Sequence, residues 1–120
     1  MTCREMIDRV DRLRPNTLPF EDKLQWLEQL DLRAFEEVIL THIHEEGLTF
    51  SGHGEGESQL LIPPPYDEVY CYWLCMQMDL VGRELTQYNN DRALFASAWL
   101  AWSDWMNRTL LPLQEAKIQL

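Results

Sequence analysis

The segment from Pro65 to Arg108 constrains the fold more than any other part of this chain. It holds four of the five tryptophans, and its apolar residues recur at the three- and four-residue spacing of amphipathic helices. Two helices joined at Asn89-Asn90 account for this pattern, because asparagine tolerates the left-handed conformation that such a turn needs. The sequence therefore predicts a helical hairpin over residues 66–108, with Gly82 as a bend or a close helix crossing.

Residues 1–46 predict further helices. Thr2 and Glu5 have the spacing of a capping box, which would start the first of them. Leu30-Asp31-Leu32 is either a kink or a short turn, and the turn is the favoured alternative. With the aspartate as an N-cap, it would divide the following apolar stretch into a second and a third helix. Together with the hairpin, these segments predict an all-α fold, a small helical bundle of about five helices in a single domain.

Residues 47–65 predict a loop between the two helical parts, because they hold four of the five glycines and a run of three prolines. Gln59 to Ile62 is the strand-like run of the chain. It can pair with Leu48-Thr49-Phe50 in a short β-hairpin, or with another subunit. Residues 109–120 contain a proline and predict a tail that becomes ordered on a partner.

The charge of the chain restricts its partners. Twenty acidic residues against ten basic ones give a net charge of −10. Such a charge repels phosphate, so we expect neither sequence-specific nor general nucleic-acid binding, and it disfavours anionic membranes. Three cysteines without framework spacing, and no apolar run of ~18 residues, predict a soluble protein of a reducing compartment with no signal peptide or membrane span.

Cys71 and Cys75 are the first candidates for chemistry, since with His42 and His44 they offer thiolate and imidazole ligands to zinc. However, the two cysteines lie within an apolar helix, where buried thiols are the common case. Residues two apart on a helix do not share a face, so the two histidines cannot easily bind one ion. We therefore expect core packing and no metal.

Other patterns of catalytic chemistry are also weak. The adjacent carboxylates Glu36-Glu37 and Asp67-Glu68 diverge on a helix instead of facing one cleft. The run Gly52-x-Gly54-x-Gly56 lacks the lysine and the following helix of a phosphate-binding loop. The sequence therefore predicts a protein that is not an enzyme and binds no cofactor.

The last helix is apolar around more than half of its circumference, which is more than a small two-layer fold can easily bury. Part of this surface is a candidate interface with a subunit or partner, and the alternative is that all of it is core. The candidate interaction residues come from the loop, the last helix and the tail: Phe50, Leu60, Leu61, Ile62, Trp99, Trp102, Leu110, Leu111 and Leu113.

Several short motifs occur in a fixed order along the chain. In the first half they are Arg14-Pro15-Asn16-Thr17, Lys23-x-x-Trp26-Leu27 and Leu30-Asp31. In the second half they are Pro65-Tyr66-Asp67-Glu68-Val69-Tyr70-x-Tyr72, Gln77-x-Asp79, Tyr88-Asn89-Asn90, Leu94-Phe95-x-x-Ala98 and Trp105-x-Asn107-Arg108-Thr109. This set resembles a family of small proteins encoded in the head–tail gene modules of tailed phages and prophages of Gram-positive bacteria. Cys71, Cys75, the extra tryptophans and the tail after Thr109 depart from the family pattern.

The resemblance implies a role in virion assembly, as a head–tail connector or head-completion protein. Such proteins are small helical domains that form rings beneath the portal. The implied partners are portal, capsid or tail proteins and further copies of the chain, in the virion or in the cytoplasm of the bacterial host. The residues alone leave a second hypothesis open, in which an adaptor or regulatory module binds a host protein through the aromatic helical face.

Overall fold

The computed structural model describes residues 1–42 and 48–109, and this part of the chain is all-α, as predicted. Among these residues the structure contains no strand, and the single β-bridge joins Thr2 to Gln59. In chain order the elements are α1 (Cys3–Leu13), α2 (Phe20–Ala34), a π-helical turn (Phe35–Ile39), α3 (Leu40–His42), α4 (Glu68–Val81) and α5 (Leu85–Thr109).

Helix α1 begins at the predicted capping box. The Thr2 hydroxyl accepts a hydrogen bond from the amide of Glu5, and the Glu5 carboxylate accepts one from the amide of Thr2. Two further amides of this first turn, those of Cys3 and Arg4, donate hydrogen bonds to backbone carbonyls of the loop. The loop thus satisfies backbone donors that a helix N-terminus leaves without partners.

The predicted turn at Leu30-Asp31-Leu32 is wrong. Helix α2 continues through these residues to Ala34 and then into the π-helical turn and α3. The stretch from Phe20 to His42 contains no glycine or proline to end the helix. Asp31 is not an N-cap, because its carboxylate is fully buried and binds groups outside its own helix.

The hairpin turn also differs from the prediction. Asn89 and Asn90 lie inside α5, and the turn is formed by Gly82, Arg83 and Glu84. Arg83 has φ +56°. The amide of Arg83 donates to the carbonyl of Leu80, and the amide of Glu84 donates to that of Asp79. These two bonds make a Schellman motif, with an arginine at the left-handed position where glycine is usual.

Helix α4 occupies the centre of the molecule and contacts α1, α2 and α5. Its residues Val69, Tyr70 and Leu74 are fully buried, together with Leu27 and Leu30 of α2. Side chains of α1 complete this core from one side, and Phe95, Trp102 and Met106 of α5 close it from the other. None of the described helices is long and apolar enough to cross a lipid bilayer.

The predicted β-hairpin between residues 48–50 and 59–62 does not form. Gln59 bridges Thr2 instead, and the amide of Leu60 donates to the carbonyl of Met1. The loop therefore docks against the N-terminus of the chain. Residues 43–47, where the loop was predicted to begin, and the tail residues 110–120 lie outside the described residues.

Gly56 provides a test of this docking, because it has φ +98° and a Cβ added there would lie 3.1 Å from the ring of Phe20. Gly54 is the matched control, with φ +55° and no atom within 4 Å of an added Cβ. Gly54→Ala should lower the free energy of unfolding by about 1–2 kcal/mol through backbone strain alone. Gly56→Ala should cost about 1–3 kcal/mol more, as measured by urea unfolding, through overpacking and because φ +98° lies farther from the left-handed well than φ +55° does. Equal losses in the two variants would contradict the docked loop.

Candidate functional site

Asp31 is a buried carboxylate to which three different residues donate hydrogen bonds. It lies near the end of α2 and is 0% exposed. Its carboxylate accepts hydrogen bonds from the Tyr70 hydroxyl at 2.5 Å, from the amide of Leu61 at 3.1 Å and from Nε2 of His53 at 2.5 Å. A buried carboxylate is tolerated only when it is paired in this way. We call these four residues the aspartate network.

Tyr70 extends the network into the loop. Its hydroxyl donates to Asp31 and accepts a hydrogen bond from the amide of Ile62 at 2.8 Å. Burial, reinforced by the nearby Asp31 carboxylate, raises the pKa of Tyr70 far above its usual value, so the phenol keeps the proton that it donates. Helices α2 and α4 thus hold residues 61–62 of the loop through buried hydrogen bonds.

One chain of contacts has the order of a catalytic triad: Ser58, His53 and Asp31. The sequence pattern did not indicate it. Ser58 Oγ lies 2.7 Å from Nδ1 of His53, whose Nε2 faces Asp31. The ring is reversed relative to the serine-protease arrangement, in which Nε2 faces the serine. His53 is also buried against Phe50. The further bonds of Asp31 to Tyr70 and Leu61 favour a structural anchor over a catalytic base.

The cysteines pack as core residues. Burial, with the Glu68 carboxylate as the next cause, raises the pKa of Cys71 to about 11. Burial also raises the pKa of Cys75. Both thiols are therefore protonated at neutral pH and are poor ligands or nucleophiles. In the described part of the chain no group of three metal-ligating side chains is found, and the histidine at position 44 lies outside it.

A second polar cluster joins the end of α1 to the hairpin turn. Arg14 lies 2.6 Å from Asp79, which is fully buried, and 3.8 Å from Asp91. Arg14 also donates to the carbonyl of Cys75. Burial and the neighbouring Asp79 raise the pKa of Asp91 to about 6. This cluster fixes α1 against both helices of the hairpin.

An open groove runs along the hairpin between α4 and α5 and reaches Arg33 of α2. It encloses about 680 Å³. Trp73, Phe95 and Trp99 stack along its floor, with successive ring centres 5.4 and 6.0 Å apart. The guanidinium of Arg33 lies 4.8 Å above the Trp99 ring. This hairpin groove is lined by Arg33, Trp73, Met76, Tyr88, Arg92, Phe95, Ala96, Trp99 and Leu100.

The structure divides the predicted interaction residues into accessible residues and core residues. Trp99 lies in the hairpin groove, and Phe50 and Leu61 are half-buried. Leu60, Ile62 and Trp102 are core residues and are not accessible to a partner. Their burial follows from the docked loop and from the packing of α5 on α4. The three tail leucines, Leu110, Leu111 and Leu113, lie outside the described residues.

Sequence reasoning missed the aspartate network and the two arginines of the groove. A signal for Asp31 was present, because it stands four residues after Leu27 on the buried stripe of α2. A lone carboxylate on such a stripe indicates buried partners. Arg33 and Arg92 are 59 positions apart in sequence, and no local pattern connects them.

Many motif residues that carry the family resemblance are polar anchors of the fold. Lys23 is buried and binds Asp11 at 2.9 Å, and it also binds Asn16 at 3.2 Å. The two polar clusters described above contain four more motif residues: Arg14, Asp31, Tyr70 and Asp79. Asn107 lies 2.8 Å from Nε2 of His42 and joins the end of α5 to α3. These positions therefore specify how the helices are arranged.

Comparison of the chain with models of protein families, with curated proteins and with solved structures finds no match.

The aspartate network predicts unequal effects of two substitutions. Asp31→Ala should lower the free energy of unfolding by about 3–5 kcal/mol, because it leaves buried donors without partners. Ser58 is exposed and contacts the network only through His53, so Ser58→Ala should cost less than about 1 kcal/mol. Urea unfolding followed by circular dichroism measures both. Covalent labelling of Ser58 by a fluorophosphonate, or similar losses in the two variants, would contradict the structural role.

Proposed function

We propose that this chain is a non-enzymatic virion assembly protein, a head–tail connector or head-completion protein of a tailed phage or prophage. It acts through protein–protein contacts in a ring under the portal, and it is present in the host cytoplasm before assembly and in the virion afterwards. The ordered motifs from Arg14 to Thr109 support this assignment, since they extend over almost the whole chain.

The hairpin groove is the structural observation that carries the proposal. Its aromatic floor and its volume of about 680 Å³ offer a recess for side chains of another protein. Leu100, on its rim, is 59% exposed. Aromatic residues and arginine are the residue types enriched at protein interfaces. An assembly protein needs such a surface beside a core that is already complete.

The charge of the chain supports the same role. A net charge of −10 repels DNA. A protein that surrounds the path of a phage genome has to let the DNA pass without holding it. The charge is therefore compatible with a conduit, although it is equally compatible with an adaptor.

The adaptor hypothesis uses the same groove with a different partner. In that case a host protein would occupy the recess, and phage components would not bind. Purification of the tagged chain from infected or induced host cells distinguishes the two, because a connector recovers portal, capsid or tail proteins.

The assembly role predicts that the chain binds the portal protein encoded in the same gene module. Size-exclusion chromatography with light scattering should show the complex, and electron microscopy should show a ring beneath the portal. Leu100→Arg, on the groove rim, should weaken binding at least about tenfold, because it buries a charge against an apolar partner. Leu94→Arg is the matched control, an exposed leucine of the same helix outside the groove lining. A chain that ignores portal, capsid and tail proteins would contradict the proposal.

A further inference from the structure

The turn of the hairpin exposes a compact apolar knob. Leu80 is 48% exposed, Val81 57% and Leu85 70%. Glu84 lies between them in sequence, and its side chain is 53% exposed, with only a long contact of 3.4 Å to Arg14. We call these four residues the hairpin tip. The tip presents three aliphatic side chains around one carboxylate, and contacts within the described chain leave all four substantially exposed.

The hairpin groove has the complementary chemistry. Its lining is apolar and aromatic except for Arg33 and Arg92, which are both positive in a chain of net charge −10. Arg33 pairs with Glu37 at 3.0 Å. Among the described residues, no carboxylate forms an ion pair with Arg92. The groove therefore offers an apolar recess and one cation for an incoming carboxylate.

Tip and groove lie on one continuous face of the hairpin. Leu80 follows Met76 by one helical turn, and Leu85 precedes Tyr88 by one turn. By this spacing Leu80 and Leu85 extend the face of the groove towards the turn. A knob beside a recess on one surface is self-complementary, because a two-fold axis places each knob in the recess of the other copy.

From this geometry we propose that the hairpin groove is occupied by a second copy of this chain, which inserts its hairpin tip. Leu80, Val81 and Leu85 of one copy pack on the aromatic floor of the other. Glu84 pairs with Arg92 of the opposite copy, and the two-fold axis repeats this contact. The inference concerns the free protein and does not depend on the proposed virion role.

Sedimentation velocity of the full chain, from micromolar to submillimolar concentration, tests this contact. Ionic strength near 0.15 M is suitable, since a screening length of about 8 Å limits the repulsion between two acidic copies. The wild type should show a monomer–dimer equilibrium. Leu85→Asp and Arg92→Glu should each weaken association at least about tenfold, the change that 1.4 kcal/mol of lost contact produces.

A charge exchange gives the sharpest test of the pairing. Glu84→Arg should weaken association as Arg92→Glu does, and the double variant should recover affinity to within about threefold of the wild type. Leu94→Asp and Arg108→Glu are matched controls, because both exposed residues lie on α5 outside the groove lining. They should dimerise like the wild type. Circular dichroism confirms that each variant is folded.

Three results would overturn the proposal. The first is a wild type that stays monomeric at the highest concentration. The second is a dimer that neither Leu85→Asp nor Arg92→Glu weakens, since another surface would then hold it. The third is a folded double variant in which affinity is not recovered. If Glu84→Arg fails to fold because of the Arg14 contact, the first two measurements decide. Failure here leaves portal binding, the test of the proposed function, unaffected.

Discussion

The buried carboxylate of Asp31 is the interaction on which the arrangement of this chain depends. Removing a carboxylate from water costs free energy unless hydrogen-bond donors surround it. Here the donors come from α4 and from the loop. The same aspartate therefore joins three segments that are distant in sequence. Apolar packing drives the helices together, but it is not directional. The hydrogen bonds of Asp31 select one position for residues 53–62, and this loop then supplies partners for the first amides of α1.

Two other ionic contacts, each with one buried partner, extend this principle. Arg14 with Asp79 fixes the end of α1 on the hairpin, and Lys23 with Asp11 fixes α1 on the start of α2. Such contacts specify an arrangement more than they add stability, since desolvation offsets much of the attraction. Arg14, Lys23 and Asp79 are also residues of the ordered motifs described above. The surface proposed for partners, the hairpin groove, contains none of these ionic anchors, and its residues Met76 and Phe95 also belong to the apolar core.

Hydrophobic spacing was sufficient to predict the all-α class, and the capping box located the start of α1. Turn positions were not predictable in the same way. The pair Asn89-Asn90 is a strong local turn signal, yet it lies inside α5, because Tyr88 and Phe95 on either side of it pack against the core, with Phe95 against Trp73 of α4. The real turn places Arg83 in a left-handed conformation, which residue preferences disfavour. The two arginines of the groove, Arg33 and Arg92, could not be related to each other from the sequence, since it is the packing of the helices that brings them to one groove.

Hydrogen exchange of the amides of Leu61 and Ile62 tests the central role of Asp31 most directly. Both amides lie in a loop without regular secondary structure, where exchange by local opening is the ordinary outcome. Because they donate to Asp31 and to Tyr70, they should exchange only on global unfolding. Their opening free energies should equal those of the most protected amides in α2 and α4. Fast exchange of both amides, with α2 and α4 still protected, would contradict the central role of Asp31.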